Sequence, residues 1–390
     1  MTDTDTVSRN SGWNAWLPFE ILGQVFHYVV YADGPLALRH IIYVCKLWHT
    51  ASLQHPRLWT RIFLDGPFFI YFKDTPISST CAFLQQWLDR SGTLPLHLRL
   101  GCDDLHEFYP SSHGPLDLSS VEHPTGRFAR LLEVMKRSDK RHVKRAESLV
   151  WRRHFEYDVE ADILSIFPPQ LPLLRFMSIS TLDYDSPSSF SHCPFLTKIE
   201  LSDHYERRPF FQSQDLASVK TLSFHNNGIW MADDIVYIAG FASLEVLVLS
   251  NGTGGFRGGK EPMYCRTNTH ANTPLQLPRL RRLTVRGTVP KDILLQFVAP
   301  ALRELLIEDD DKGRTSVLDL HTLIPPSCHQ IRTLLSPKVK EANPLWFWNL
   351  MGLVKEVPQL NVLCVSKWMQ QKMQELFHDS NFELRVEIER

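Results

Sequence analysis

None of the seven cysteines (Cys45, Cys81, Cys102, Cys193, Cys265, Cys328 and Cys364) belongs to a C-x-x-C pair. An odd, scattered set of this kind argues against both a zinc knuckle and a disulfide framework. Reduced, buried thiols in a cytosolic or nuclear protein are the expectation. An excess of one charge is missing too. Lys and Arg number 42 against 43 Asp and Glu, a formal charge of −1, so no net field draws the whole molecule to nucleic acid or to an anionic membrane. No apolar run reaches the roughly 18 residues a membrane helix needs. The opening MTDTDTVSRNSG has neither a basic n-region nor an apolar h-region, and a soluble intracellular protein is expected.

Catalytic signatures are equally scarce. The 17 histidines supply no H-E-x-x-H pattern, Cys265 and His270 stand isolated, and no G-x-S-x-G elbow occurs. Gly254 to Lys260 has the G-x-x-x-x-G-K spacing of a phosphate loop, but Glu261 stands where a magnesium-ligating Ser or Thr is required. The stretch 262–274 is rich in Thr, Asn and Pro where a helix should follow, so the segment reads as an insertion. The acidic run Glu308 to Asp311 reads as a solvated loop. The expectation is a protein that is not an enzyme and carries no metal or cofactor.

What is present is a core and a change of character along the chain. Apolar residues make up 43% and charged residues 22%, the proportions of a folding globular chain. A length of 390 residues favours about two structural units or one elongated array. The 25 prolines interrupt long helices, so many short elements are expected. Residues 1–12 read as a mobile tail. From Trp13 to Ile62 the apolar residues fall at helical spacing. Leu17, Ile21, Leu22, Val25 and Phe26 form one stripe, with Pro18 tolerated at a helix start and Asn14 as a nearby cap. Leu38, Ile41, Ile42, Cys45 and Trp48 form a second stripe beyond the Asp33-Gly34-Pro35 break. Two or three short helices are predicted.

This stretch resembles an F-box. Leu17, Pro18, Glu20, Ile21, Leu22 and Phe26 stand like its opening LPxEIL…IF, Val44, Cys45 and Trp48 like its VCxxW, and Leu58, Trp59 and Ile62 like its closing LW…I. The resemblance implies that Leu17, Pro18, Ile21, Leu22, Val44, Cys45, Trp48 and Trp59 build or support a face docking on a Skp-type adaptor, which couples the chain to a cullin–RING ubiquitin ligase. A module of some fifty residues has a limited core of its own, so apolar residues shared with a partner are physically reasonable.

After Phe63 a different pattern repeats. L-x-x-L-x-L-like segments begin at Leu174, Leu196, Val219, Leu244, Leu280, Leu302, Ile331 and Leu360, separated by 22, 23, 25, 36, 22, 29 and 29 residues. Ala146 to Trp151 and Leu94 to Leu100 are candidate further copies. Pro or a small residue precedes several of them, ending the previous turn at a constant phase. The spacings resemble a degenerate leucine-rich repeat, which implies one strand per unit added to a curved parallel sheet. The last two apolar residues of each copy alternate with a freer position, so they should stack on the same positions of neighbouring strands.

The expected layout is therefore α/β: an F-box-like helical module over 13–64, then an irregular leucine-rich-repeat-like solenoid over 65–390, capped from about residue 367 by the 367–377 helix and a strand within 381–388. The arrangement, with FLxxWLxRSGTLPLxL from Phe83 to Leu98, is similar to fungal multi-copy F-box proteins. The resemblance implies a substrate-recognition subunit of an SCF-type ubiquitin ligase. Its protein substrate would meet Phe176, Ser178, Lys198, Glu200, Thr221, Ser223, His225, Val246, Val248, Arg282, Thr284, Arg286, Glu304 and Glu308, the positions alternating with the buried leucines. The alternative is a scaffold whose N-terminal helices only cap the solenoid. Arg130 to Arg153, rich in Lys and Arg beside the stripe Phe128, Leu131, Leu132 and Met135, reads as a helix with a solvated basic side. Trp346 and Trp348 read as part of a core helix.

Overall fold

The structure is a computed structural model that describes residues 17–101, 124–137, 141–152, 167, 170–180, 189–190, 192–202, 210–211, 216–226, 237–251, 274–286, 296–308, 331–336, 359–360, 362–365 and 383–386. The N-terminal tail, Gly254 to Lys260, the acidic run after Glu308, Trp346 and Trp348, and the 367–377 helix lie outside the described residues. No helix among the described residues is long and apolar enough to cross a membrane. The chain divides into two compact units, Met1–Ala146 and Glu147–Arg390.

The first unit opens with three helices, α1 (Phe19–Asp33), α2 (Ala37–Ile42) and α3 (Lys46–Leu53), then a 3-10 turn at Pro56–Trp59. Helix α1 starts at Pro18, not at Asn14: the Pro18 carbonyl accepts the Ile21 and Leu22 amides at 3.0 and 3.1 Å. A proline there forfeits no helical hydrogen bond. The helix stops at Gly34, whose φ of +87° suits a residue without a Cβ. Leu22, Phe26 and Val30 recur every fourth position and are all buried, as are Leu38 and Ile41 of α2. Phe26 meets the Trp48 ring at 5.0 Å.

The module does not end as an isolated helical bundle. Ile62 lies in a strand, β1 (Arg61–Leu64), which pairs in parallel with β2 (Leu96–Leu100). The helical reading of this stretch missed β1 because four residues carry little periodicity; the alternate burial of Ile62 and Leu64 was its local signal. Between these strands lie α4 (Gly66–Tyr71) and α5 (Ile77–Arg90), and the helix Pro124–Arg137 packs on α5. Aromatic rings link these elements, from Trp59 through Trp87, Phe83, Phe72, Phe68 and Phe69 to Phe128, with successive centroids 4.6–5.9 Å apart. Such contacts add to plain area burial. The unit consequently runs past residue 64 to Ala146.

Two arginines anchor this extension. Arg127 is 5% exposed, with no carboxylate paired to it among the described residues; its Nη2 donates to the carbonyls of Phe72 (2.7 Å) and Thr75 (2.6 Å) just beyond α4. The Phe72 carbonyl, at the C-cap of α4, also accepts the Thr75 amide at 3.0 Å. Replacing Arg127 by Met should keep much of the stem volume, remove two charge-assisted hydrogen bonds while the Phe72 carbonyl keeps the Thr75 amide, and cost about 1.5–3 kcal/mol. The expected readout is a lower urea midpoint at unchanged slope. Arg145 donates to the carbonyls of Gly92 and Leu94 and to Ser91 Oγ, fixing the turn after α5. Burial pushes its guanidinium below the ordinary value. It is thus no part of a merely solvated basic side, although Phe128, Leu131, Leu132 and Met135 are buried as their spacing predicts.

The second unit is dominated by a parallel sheet. Its strands are β3 (Ala146–Trp151), β4 (Phe176–Ser180), β6 (Lys198–Ser202), β8 (Thr221–Asn226), β9 (Val246–Asn251), β11 (Arg282–Arg286), β13 (Glu304–Glu308), β14 (Thr333–Ser336), β15 (Val362–Val365) and β16 (Glu383–Val386), adjacent in that order. Short parallel pairs flank it: β5 (Ser189–Phe190) with β7 (Phe210–Phe211), and β10 (Leu275–Gln276) with β12 (Phe297–Val298). All eight L-x-x-L-x-L segments supply a strand, and β3 and β16 extend the series. Register is constant. Met177, Ile199, Leu222, Leu247, Leu283, Leu305 and Leu334 are mutual partners, and so are Ile179, Leu201, Phe224, Leu249, Val285 and Ile307. All of these are buried, each side chain stabilising the fold by about 1.5–3 kcal/mol. The turn before each strand repeats as well, the first leucine-position amide donating three residues back: Leu174 to Leu171, Leu196 to Cys193, Val219 to Leu216, Leu244 to Phe241, Leu280 to Leu277 and Leu302 to Ala299, all at 3.0–3.2 Å.

Candidate functional site

Helix α1 has more apolar surface than its own module covers. Leu22, Phe26 and Val30 are spent on the core, yet Leu17, Ile21 and Val25 at the same four-residue spacing remain 45%, 42% and 47% exposed, with Tyr28 beyond them still more so. Pro18 is exposed too. A second exposed apolar group, Tyr43 and Val44, sits in the turn between α2 and α3. Solitary exposed hydrophobics mean little, but a whole helix face left open at regular spacing marks an interaction surface.

The residues behind this face play a different part. Leu22 and Trp59 are 1% and 2% exposed, so in this chain they lie beneath the face and offer almost no surface of their own. Trp59 donates its Nε1–H to the Ser52 carbonyl at 3.0 Å, and Arg90 stacks 4.5 Å above its ring. Trp48 and Cys45 are half-buried. The Trp48 indole N–H is buried without an acceptor among the described residues.

A third side of α1 lines an open cleft of about 710 Å³ with Glu20, Gly23, Gln24 and His27 facing His55 and the 91–94 turn. His55 Nε2 lies 2.8 Å from the Phe19 carbonyl, which requires the proton on that nitrogen. Gly23 allows this close approach: a Cβ there would stand 2.4 Å from the imidazole. Gly23→Ala should therefore cost about 1–3 kcal/mol through displacement of the ring. Removing the ring as well, in Gly23→Ala/His55→Ala, should cost less than the two single changes added together. Thermal melts of the four proteins complete the cycle.

In the second unit the positions that alternate with the buried ladder form rows on the other side of the sheet. Phe176, Lys198, Thr221, Val246, Arg282 and Glu304 share one row through successive register partners, and Ser178, Glu200, Ser223, Val248 and Thr284 the next. Lys198 and Arg282 are exposed, and the Lys198 ammonium lies 5.0 Å from the Phe176 ring and 2.7 Å from Glu200. Arg282 pairs with Glu304 at 2.5 Å. Ser223 and Thr284 depart from the expected exposure: at 7% and 3% they are covered and offer little to a ligand. Burial pushes the His225 imidazole below its ordinary value, with Glu200 opposing and Arg286 adding to the effect. Arg286 is exposed; Glu308 is placed at the end of β13 by its backbone.

Residues 15–65 match the F-box-like family model, a span that covers α1 to α3, the 3-10 turn and β1. No curated protein matches the chain. The chain therefore carries an F-box-like domain, and the exposed face of α1 belongs to it.

Proposed function

We propose that this chain is the substrate-recognition subunit of an SCF-type ubiquitin ligase. F-box domains in general dock on Skp-type adaptors, and the observation that carries the reading is the apolar face of Leu17, Ile21 and Val25 left open inside the F-box-like domain. Val44 and Pro18 would extend the contact, with Cys45 and Trp48 at its margin and Leu22 and Trp59 beneath it. A scaffold whose N-terminal helices merely capped the chain would have no use for an uncovered stripe.

On this reading the second unit is an irregular leucine-rich-repeat array of the kind found in fungal multi-copy F-box proteins. The constant register of its strands supports that assignment. It would present a bound protein to the conjugating enzyme, and ubiquitin transfer would follow from proximity, with no bond chemistry by this chain itself. The outward rows from Phe176 to Glu304 are where the substrate would lie, in the cytosol or nucleus. The test is capture of a purified Skp-type adaptor by the intact chain, followed by assembly with cullin and RING subunits. A folded chain that ignores the adaptor would refute the ligase reading and leave the scaffold.

A further inference from the structure

The residue immediately before each of β4, β6, β8, β9, β11, β13 and β14 occupies a register row of its own, which Glu147 within β3 joins. Along it, each backbone carbonyl accepts the amides of the next strand's start: Arg281 takes Arg303 and Glu304 at 2.9 and 3.0 Å, and Arg303 takes Arg332 and Thr333 at 2.8 and 3.0 Å. The row begins with opposite charges in pairs. Arg175 meets Glu147 at 3.2 Å, and Lys220 meets Glu245 at 3.3 Å. It continues with Arg281, Arg303 and Arg332, all exposed, and none has a side-chain partner among the described residues.

Three like charges at the inter-strand spacing of about 4.8 Å repel one another. The chain as a whole carries a formal charge of −1, so the row is a local concentration and not a reflection of bulk composition. Nothing in the packing calls for it, because the buried ladder beside it is complete without these side chains. We propose that the arginine row binds an acidic peptide segment, an extended run with Asp or Glu at alternate positions, on a protein that the second unit recruits. The proposal rests on the reading of that unit as the recruiting part. The row spans roughly 10 Å, the reach of three or four extended residues, and guanidinium forks take carboxylates through paired hydrogen bonds. Nucleic acid fits less well. Glu304 and Glu245 border the row, so a long polyanion running past it would meet carboxylates where it needs further cations to build affinity.

Fluorescence anisotropy on the intact chain tests this, with a labelled Ser-Glu-Ser-Glu-Ser-Glu-Ser peptide, its Gln-for-Glu counterpart, and a short single-stranded DNA as probes. The Glu peptide should bind at least about tenfold tighter than the Gln peptide, and the preference should weaken with salt. The triple variant Arg281→Gln/Arg303→Gln/Arg332→Gln should lose at least about tenfold in affinity for it while melting no lower than the parent, since relief of like-charge repulsion does not destabilise. Arg137→Gln, a change in the first unit, should bind as the parent does. Equal affinity for the two peptides, undiminished binding by the triple variant, or tighter binding of the DNA would each overturn the proposal. Adaptor capture measured alongside separates the two readings: capture without peptide binding sinks the arginine row alone, and peptide binding without capture sinks the ligase reading alone.

Discussion

Changing Ile21 and Val25 together to glutamate should abolish capture of a purified Skp-type adaptor and leave the melting temperature near that of the parent. Both side chains are more than two-fifths exposed, so in the free chain a carboxylate at either position stays in water and costs little. In a docked complex the same carboxylates would be buried with no partner. At roughly 2 kcal/mol each this amounts to about 4 kcal/mol, or a thousandfold in Kd. The paired measurements are adaptor affinity by titration calorimetry and stability by thermal melt. Undiminished capture by the folded double variant would remove the outer face of α1 from the docking surface.

Trp59→Ala should behave differently. The ring is 2% exposed, packed 5.1 Å from Trp87 and tied to Ser52 through its N–H, and Phe- or Trp-to-Ala truncations in cores cost about 3–5 kcal/mol. Stability should fall first. Capture should fall with it, in proportion to the fraction unfolded, and recover when the temperature is lowered until the variant is folded. Were Trp59→Ala instead to melt like the parent and bind a hundredfold less tightly, the ring would have to be a contact residue. The two experiments thus separate a residue that touches the adaptor from one that holds up the residues that do.

That distinction was not available from the order of residues. The motif pieces put Leu17, Ile21, Leu22, Val44 and Trp59 on one list, because all are apolar and all belong to the F-box pattern. Their spacing along α1 reads as one stripe, which the structure divides into exposed Leu17, Ile21 and Val25 and buried Leu22, Phe26 and Val30. Which of these residues face inward depends on where α2 and α3 pack, and no periodicity states that. Much the same holds for Ser223 and Thr284. They alternate with buried residues as read, but both are themselves buried, and alternation along a strand does not state which outward positions the fold covers. Arg145 illustrates a second blind spot: a basic run reads as solvated until the carbonyls it satisfies, distant in sequence, are brought beside it.

The repeat was legible for the opposite reason. A parallel strand must place its apolar residues at the same register as its neighbour to share a core, so the constraint recurs in the sequence at each copy, and eight L-x-x-L-x-L segments reveal it. The sequence by itself determined the F-box-like opening, the strand positions in the second unit and the ladder they bury. Only the tertiary structure decided that β1 and β2 join the first unit and that it extends to Ala146. It also decided which apolar face stays open and that three arginines stand side by side with no side-chain partner among the described residues. Periodic burial is a local requirement written residue by residue, whereas coverage and charge pairing depend on which surfaces meet.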